Sequence, residues 1–398
     1  MNVTTITYTA YSNGSETEDD SGDVIEWDGV KVFAICFLCC VDVATIIGNT
    51  FTLLAFGTDS KLRNNLSNWY IINLSIADLL VGAVSLPFDI AAYAYDYWIF
   101  GKHTCRFWSV VDNIATVESV FAVLLISFDR FSLVTMEIRH VTMQTRKKVF
   151  YQCFSTWVFT VVLIFILVVA YPAWTGEVWF DYGEVCDVEF LYDTAWTVFF
   201  VVITFVIPLI ILLYLNVTIY LNIHKRTTSR VQPASGTSQL YNTAVKTQVT
   251  LVNLNNGQAS DALRDSGRRI NVCEPSVSVY NNGEEFSENA NNQENDTTHR
   301  RAAHRKNKGV DHKLQKRKKA ARTLAILVGV FFLCWAPHNL AVVVDQLCSD
   351  YCVTDFAWVF VSYLQWVNST LNPILYAVCH PGFRENFKKL FMCKCSSR

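Results

Sequence analysis

Charge is scarce in this chain: Asp, Glu, Lys and Arg make up 17% of 398 residues, against roughly one quarter in soluble domains. That shortage excludes an ordinary soluble enzyme. The 13 cysteines show none of the close paired spacings that zinc sites need. There is no HExxH helix and no convincing nucleophile and base arrangement, so enzyme chemistry is not expected. No internal repeat of useful length is evident. The opening residues, MNVTTITYTA, have neither a basic start nor an apolar run; no cleaved signal peptide is visible, and the first span is expected to act as the anchor. What the chain does have is apolar sequence. It is 52% hydrophobic, in long blocks such as VVLIFILVVAYP and ILLYLNVTIYL, for which the bilayer is the fitting solvent. A formal net charge of -2 hides a partition of lysine and arginine into alternate connecting segments. Nucleic acid is therefore not an expected partner.

Windows of about 20 apolar residues cross a hydrocarbon core, and they can be placed at Val30 to Phe56, Ser67 to Tyr93, Cys105 to Thr135, Val149 to Ala173, Thr194 to Ile223, Ala320 to Gln346 and Phe356 to Val378. Backbone groups in lipid have no water to satisfy them, and the alternation of a barrel strand is absent, so each window must be a helix. The expected fold is all-α: a seven-transmembrane helix bundle with a short amphipathic eighth helix. The domains read as an extracellular tail over 1–29, helices one to five over 30–224, a third cytoplasmic loop over 225–319, helices six and seven over 320–379 and an amphipathic helix and tail over 380–398. The loop is rich in Asn, Ser, Thr, Gln and charge, a composition that cannot bury a core, and is expected to be disordered. Its basic runs HRKNKG and KLQKRKKAAR are either a solvated or lipid-facing stretch or a partner-docking surface.

An odd number of spans puts the termini on opposite faces. Lys61, Arg63, Arg139, Arg146, Lys147, Lys148, Arg384, Lys388 and Lys389 gather on one side, and Glu16, Glu18, Asp19, Asp20, Glu177, Asp181, Glu184 and Asp187 on the other. Basic loops face the cytoplasm, so the N-terminus is expected outside a multi-pass plasma-membrane protein. Asn2 and Asn13 open glycosylation sequons in that outward tail, whereas those at Asn65 and Asn295 fall inside. Cys105 and Cys186 both lie on the oxidising side and can bridge a loop over the bundle mouth. Cys348 and Cys352 form a second tiny outward loop or stay free thiols. Cys393 and Cys395 follow the amphipathic FRENFKKLF, where palmitoylation would add a membrane anchor.

An ionisable side chain in mid-membrane costs about 2.5 to 3.5 kcal/mol even on a lenient scale. Asp78, Asp112 and the pair Asp129-Arg130 therefore need reasons. Asp112 and Arg130 are roughly five turns apart and project on one face, about 27 Å from one another along the axis. Thr116, Ser119, Val123 and Ile126 fall near the same stripe, which points it at the bundle interior. For Asp112 the plain reading is snorkelling or a partner within the protein, and the functional one is an anion awaiting a cation. The seventh span has no lysine, which leaves a ligand ammonium as the natural counterion. Trp108, Trp335 and Trp366 could line such a site, where cation–π attraction is worth about 0.5 to 2 kcal/mol. Glu118 is rotated off this stripe, either protonated or hydrogen-bonded to a neighbouring helix.

Gly48-Asn49, LSIAD ending at Asp78, Asp129-Arg130-Phe131, Trp157, Pro208, CWAP from Cys334 to Pro337 and NPILY from Asn372 to Tyr376 resemble the marks of the rhodopsin-like G-protein-coupled receptors. The resemblance covers all seven spans but not the long loop. It implies that Asp112 is the amine anchor of an aminergic receptor; Trp366 stands where opsins keep the retinal lysine, which argues against a light sensor. CRFWSVVD, LLISFDRF, VCDVEF and YLNVTIYLNI are similar to the third and fourth histamine receptor subtypes. WVNSTLNP, YAVC and Asn339 lean partly to the muscarinic acetylcholine receptors, which come second.

The departures bear on the ligand. Thr204 occupies the place of the histamine subtypes' acid in the fifth span. Asn113, His338 and Ser362 stand where muscarinic receptors place enclosing tyrosines. The reading is a receptor for a cationic amine held by Asp112, with Thr204, His338 and Asn339 reading its other end through neutral hydrogen bonds. Asp78, Ser119, Asn368 and Ser369 match the family's sodium pocket, a buried water network being the alternative; no other cofactor is expected. The resemblance further implies that an agonist shifts a population toward an open-inside state, the sixth helix pivoting near Pro337 and exposing Arg130, near Tyr376, to a heterotrimeric G protein of the inhibitory type. Arg317 replaces the acid that pairs with the arginine in many relatives, so ligand-independent signalling is expected. A muscarinic-like or constitutively active receptor is the nearest alternative. An amine transporter is the alternative of another class, but broken helices and repeats are missing.

Overall fold

The computed structural model describes residues 29–136, 138–176, 182, 185–231, 288–348 and 352–392. Asn2, Asn13, Cys393 and Cys395 lie outside the described residues, as does the side chain of Arg317. The chain divides into two compact units, residues 1–222 with 318–398, and residues 223–317. Every regular element among the described residues is helical. The main ones are α1 (Gly29–Thr58), α2 (Ser67–Tyr95), α3 (Gly101–Met136), α4 (Arg146–Thr175), α5 (Thr194–Lys225), α6 (Ala321–Leu347), α7 (Asp355–Cys379) and α8 (Pro381–Phe391).

Six of these, α1 to α6, are long and apolar enough to cross a membrane. The seventh, α7, has 25 residues but carries Ser362, Gln365, Asn368, Ser369, Thr370 and Asn372, which dilute its apolar average. Asn368, Ser369 and Asn372 are buried, so its polar face is turned into the bundle, as a helix in lipid requires. Each helix runs a few residues past the apolar window that announces it, because the intrahelical ladder continues into the interfacial region. The stretch assigned to disorder also holds more helix than its composition implied: residues 225–231 and 288–319 are helical, and 232–287 lie outside the described residues. Low hydrophobicity forbids a core, but Lys, Arg, Gln and Ala are strong helix formers.

Three helices widen locally. The turns at Val81–Ser85 in α2, Phe165–Ala170 in α4 and Val202–Val206 in α5 close i→i+5 hydrogen bonds. Each ends two residues before a proline, Pro87, Pro172 or Pro208. Proline has no N–H to give and its ring crowds the carbonyl four residues back, and one wide turn relieves both faults.

Close approach fixes the bundle at α1 and α7. A Cβ on Gly48 would meet Pro373 at 2.9 Å, so only glycine fits there. Beside it the Asn49 amide donates to the Ser369 carbonyl at 3.2 Å, and the Thr45 and Thr370 hydroxyls are 2.5 Å apart. Phe383 and Phe387 bury one face of α8 while Arg384, Lys388 and Lys389 stay exposed on the other. Asn386 of α8 donates to Asp59 at 2.8 Å, and that bond holds the Asp59 carboxyl below the usual range. Large apolar side chains such as Phe33, Phe37, Phe150, Phe154, Ile210 and Leu221 remain exposed around the barrel of helices, a surface suited to acyl chains and not to water.

Glu118 ties three helices together. Fully buried on α3, it accepts from Asn73 of α2 at 2.9 Å and from Thr156 and Thr160 of α4 at 2.8 and 3.4 Å. Asn73 in turn accepts from the Trp157 indole at 2.8 Å. The hydrogen bonds to neighbouring helices, one of the two readings open for this acid, are present. Interhelical polar contacts in membranes average about 0.6 kcal/mol each, so Glu118→Ala is expected to lower stability by about 2 kcal/mol. Glu118→Gln, which keeps an acceptor oxygen, should lose less than half of that. Thermal unfolding of the purified protein in detergent checks both; an alanine variant as stable as wild type would contradict the role.

Candidate functional site

At the end of the bundle that carries Cys105, the helices α2, α3, α5, α6 and α7 surround a cavity of about 230 Å³, near the small end of ligand pockets. It is lined by Trp108, Asp112, Asn113, Thr116, Thr204, Trp335, His338, Asn339, Ser362 and Trp366. Every side chain assigned to a ligand from the sequence thus meets at one place. The stripe of Thr116, Ser119, Val123 and Ile126 on α3 is buried, and this orientation carries Asp112 inward. Ser85 and Trp366 lie near the Asp112 carboxylate, yet its Oδ1 has no donor and the Ser85 hydroxyl no partner. Among the described residues no lysine, arginine or histidine is bridged to it.

The polar walls have a common chemistry. Asn113, Thr116, Thr204 and Asn339 each donate back to the carbonyl four residues earlier on their own helix, at Ser109, Asp112, Phe200 and Trp335. A threonine hydroxyl has a single proton, so Thr116 and Thr204 are left as acceptors toward the cavity. The asparagines keep their carbonyl oxygens. The threonine oxygens and the Asp112 carboxylate present acceptors to the cavity. Aromatic rings fill the rest, with Phe331 stacked on Trp335 at 5.4 Å and Tyr363 edge-on to Trp366 at 5.5 Å.

A loop is pinned over the mouth. Cys105 and Cys186 are disulfide-bonded, with Cα atoms 5.5 Å apart, and Cys348 is bonded to Cys352. Arg106 bridges to Glu189 at 3.4 Å, and the Tyr182 hydroxyl donates to the same carboxylate. Gln346 of α6 donates to the Leu191 carbonyl at 3.0 Å. Asp187 and Val188, next to the bridged cysteine, thereby become part of the cavity wall.

Deeper in the bundle, buried Asp78 accepts from Asn372 at 2.8 Å and from Ser119 at 3.2 Å, with Ser369 also in hydrogen-bond reach. Asn368 is buried on the same helix. The donor set is oxygen throughout, and the oxygens of Ser75 and Asn372 Oδ1 are buried without partners, which fits a small hard cation. At the opposite end of α3, Asp129 faces His140 at 3.2 Å, a partner that the sequence did not reveal, while Arg130 is half-buried. Tyr376 is buried with its ring 6.0 Å from Phe383.

A helical membrane bundle with an acid-floored cavity capped by a disulfide-held loop defines a receptor class. The chain belongs to the 7 transmembrane receptor (rhodopsin family), whose pattern matches residues 48–376; it is a multi-pass membrane receptor and not an enzyme. It is 30% identical over 379 residues to the histamine H4 receptor of Homo sapiens, covering 92% of this chain and 93% of that one. The mouse histamine H4 receptor is 29% identical over 370 residues, with 87% and 89% covered. The octopamine receptor of Bombyx mori is 25% identical over 442 residues, with 94% and 90% covered.

Sequence reasoning missed Asp89, Asp187, Asp345 and Tyr363, which also line the cavity. For Asp89 a signal existed, since it lies four residues after Ser85 on the same helix. For Asp187 there was none, because only the folded loop brings it over the cavity. Burial pushes the Asp187 carboxyl up to about 6 against hydrogen bonds from the Val188 N–H and the Tyr192 hydroxyl. A raised carboxyl favours the folded state only when protonated, so its contribution is full below about pH 4 and is lost as pH rises through the folded value. Asp187→Asn is accordingly expected to unfold at a higher temperature than wild type at pH 7.4, the gap narrowing as the solution is acidified toward pH 5. Thermal unfolding at the two pH values tests this; a gap that does not change with pH would refute it.

Proposed function

We propose that this chain is a plasma-membrane receptor for a small extracellular cationic amine and that it signals through a heterotrimeric G protein of the inhibitory type. The observation that carries the reading is Asp112, a carboxylate in an intramembrane cavity with one oxygen lacking any donor. Burying such a charge costs several kcal/mol unless a counterion arrives. The acceptor character of Thr116, Thr204 and Asn339 gives the ammonium and any further N–H groups somewhere to bind. Two relatives are by name receptors for amines, histamine and octopamine.

The disulfide end is then the extracellular one and the N-terminus lies outside, in keeping with the acidic loops there and the basic ones opposite. An amine entering beside Asp187 would settle on Asp112, with Trp108, Trp335 and Trp366 around it and Asn113, His338, Ser362 and Asn339 toward its other end. Binding tighter to the open state than to the closed one shifts the population. Arg130 with Asp129, and Tyr376, would face the G protein. A sodium ion held by Asp78, Ser119, Asn368 and Ser369 would neutralise the second buried acid.

Thr204 in place of an acid leaves the cavity side of the fifth helix without a carboxylate, so an imidazolium or imidazole end gains less here than in the histamine branch. Nucleotide exchange on purified G protein, driven by the full-length receptor in membranes, tests the anchor. Asp112→Ala is expected to weaken amine responses by about 100-fold or more, the scale of removing one member of a buried charge pair. Thr204→Glu should raise histamine potency about tenfold. Equal amine responses from wild type and Asp112→Ala would overturn the reading.

A further inference from the structure

The cavity wall holds four aspartates, Asp89, Asp112, Asp187 and Asp345, and, among the described residues, no lysine or arginine. A single ammonium would leave most of that charge unanswered. Two of the four line the same wall and are electrostatically coupled, Asp89 with Asp112, and Tyr363 lies beside Asp89. Ser85, near the Asp112 carboxylate, precedes Asp89 by one helical turn on α2. The rise of four residues places the Asp89 acid about 6 Å farther toward the mouth. Yet among the described residues no three His, Cys, Asp or Glu side chains converge closely enough to hold a metal ion. The negative charge is spread along a cleft, which suits an extended organic cation better than a metal ion.

The aromatic wall suits the same occupant. Trp335 is 4% exposed and lines the cavity, and its indole N–H has no acceptor. Its ring offers an apolar and π-rich wall beside the acids, fit for the methylenes and charged ends of an aliphatic amine. The amide oxygens of Asn113 and Asn339 add acceptors on that wall.

We propose that Asp89 is a second cation subsite and that the receptor's ligand class is the short aliphatic diamines, one ammonium on Asp112 and the other on Asp89. The proposal rests on the Asp112 anchor and adds a second charge to it. A diamine of putrescine length spans roughly one helical turn, the rise from Ser85, beside Asp112, to Asp89. It also fits a cavity of about 230 Å³. Asp187 and Asp345, nearer the rim, would raise the local concentration of a divalent cation over a monovalent one through their field.

The test uses the full-length receptor in membranes with G protein, titrated with putrescine, butylamine and histamine. The wild type is expected to respond to putrescine at a concentration at least about tenfold lower than butylamine. Asp89→Asn should bring the two within about threefold, chiefly by weakening putrescine, and Asp89→Glu should restore much of the preference. Thermal stabilisation of the purified variants by each amine gives a second readout that does not depend on coupling and shows that Asp89→Asn is folded. Equal potency of putrescine and butylamine on wild type, or no binding of putrescine, overturns the second subsite. So does an Asp89→Asn variant that keeps the preference or weakens both amines alike. In those cases the anchor still stands if Asp112→Asn abolishes the responses to histamine or butylamine. Responses that survive Asp112→Asn would remove the anchor itself.

Discussion

Hydrocarbon offers no hydrogen bonds, and nearly everything in this molecule follows from that. The backbone must close on itself, which makes every span a helix. Polar side chains must turn to one another, which gives Glu118 its four-residue knot with Asn73, Thr156 and Thr160 and turns the polar face of α7 inward. A polar atom left over is then informative. Asp112 Oδ1, the Trp335 indole and the oxygens near Asp78 are left over, and they mark the two places where a guest would complete the structure.

Proline positions those places. The wide turns before Pro87, Pro172 and Pro208 rotate everything beyond them around the helix axis. In α2 the wide turn ends at Ser85, whose carbonyl accepts from the Trp108 indole at 3.0 Å and which lies near Asp112. It also sets the direction of Asp89. In α5 the wide turn contains Thr204 and delivers it to the cavity. The cap on the other side is the loop held by Cys105–Cys186 and by the Arg106–Glu189 bridge. Helix geometry from within and loop tethering from above thus define one volume.

Much of the site was legible along the chain because a helix converts spacing into direction. Asp112, Thr116 and Ser119 recur at helical intervals, so their common face could be read before any packing was known. The motifs ending in Asp78 and beginning at Asn372 identified the deeper acid and its neighbourhood. Asp89 escaped although it lies about three turns after Asp78 and so near the same inward face, because it belongs to no motif. Asp187 and His140 escaped for another reason: they sit in connections, whose course depends on what they pack against. The charged stretch before α6 carries helix as well, because low hydrophobicity rules out a core but not a helix.

The sequence by itself determined that this chain spans a membrane as helices, which faces of those helices are polar, and that an acid lies within reach of one end. Those properties follow from local covalent periodicity and from the cost of exposing polar groups to lipid, and need no partner element. Only the tertiary structure decided that four aspartates share one cavity with no lysine or arginine among the described residues, that Glu118 binds two other helices, and that Asp129 meets His140. Each of those depends on groups far apart in the chain, brought together by helix crossings, wide turns and a disulfide, and no count along one strand of sequence can foresee which side chains such packing will leave facing one another.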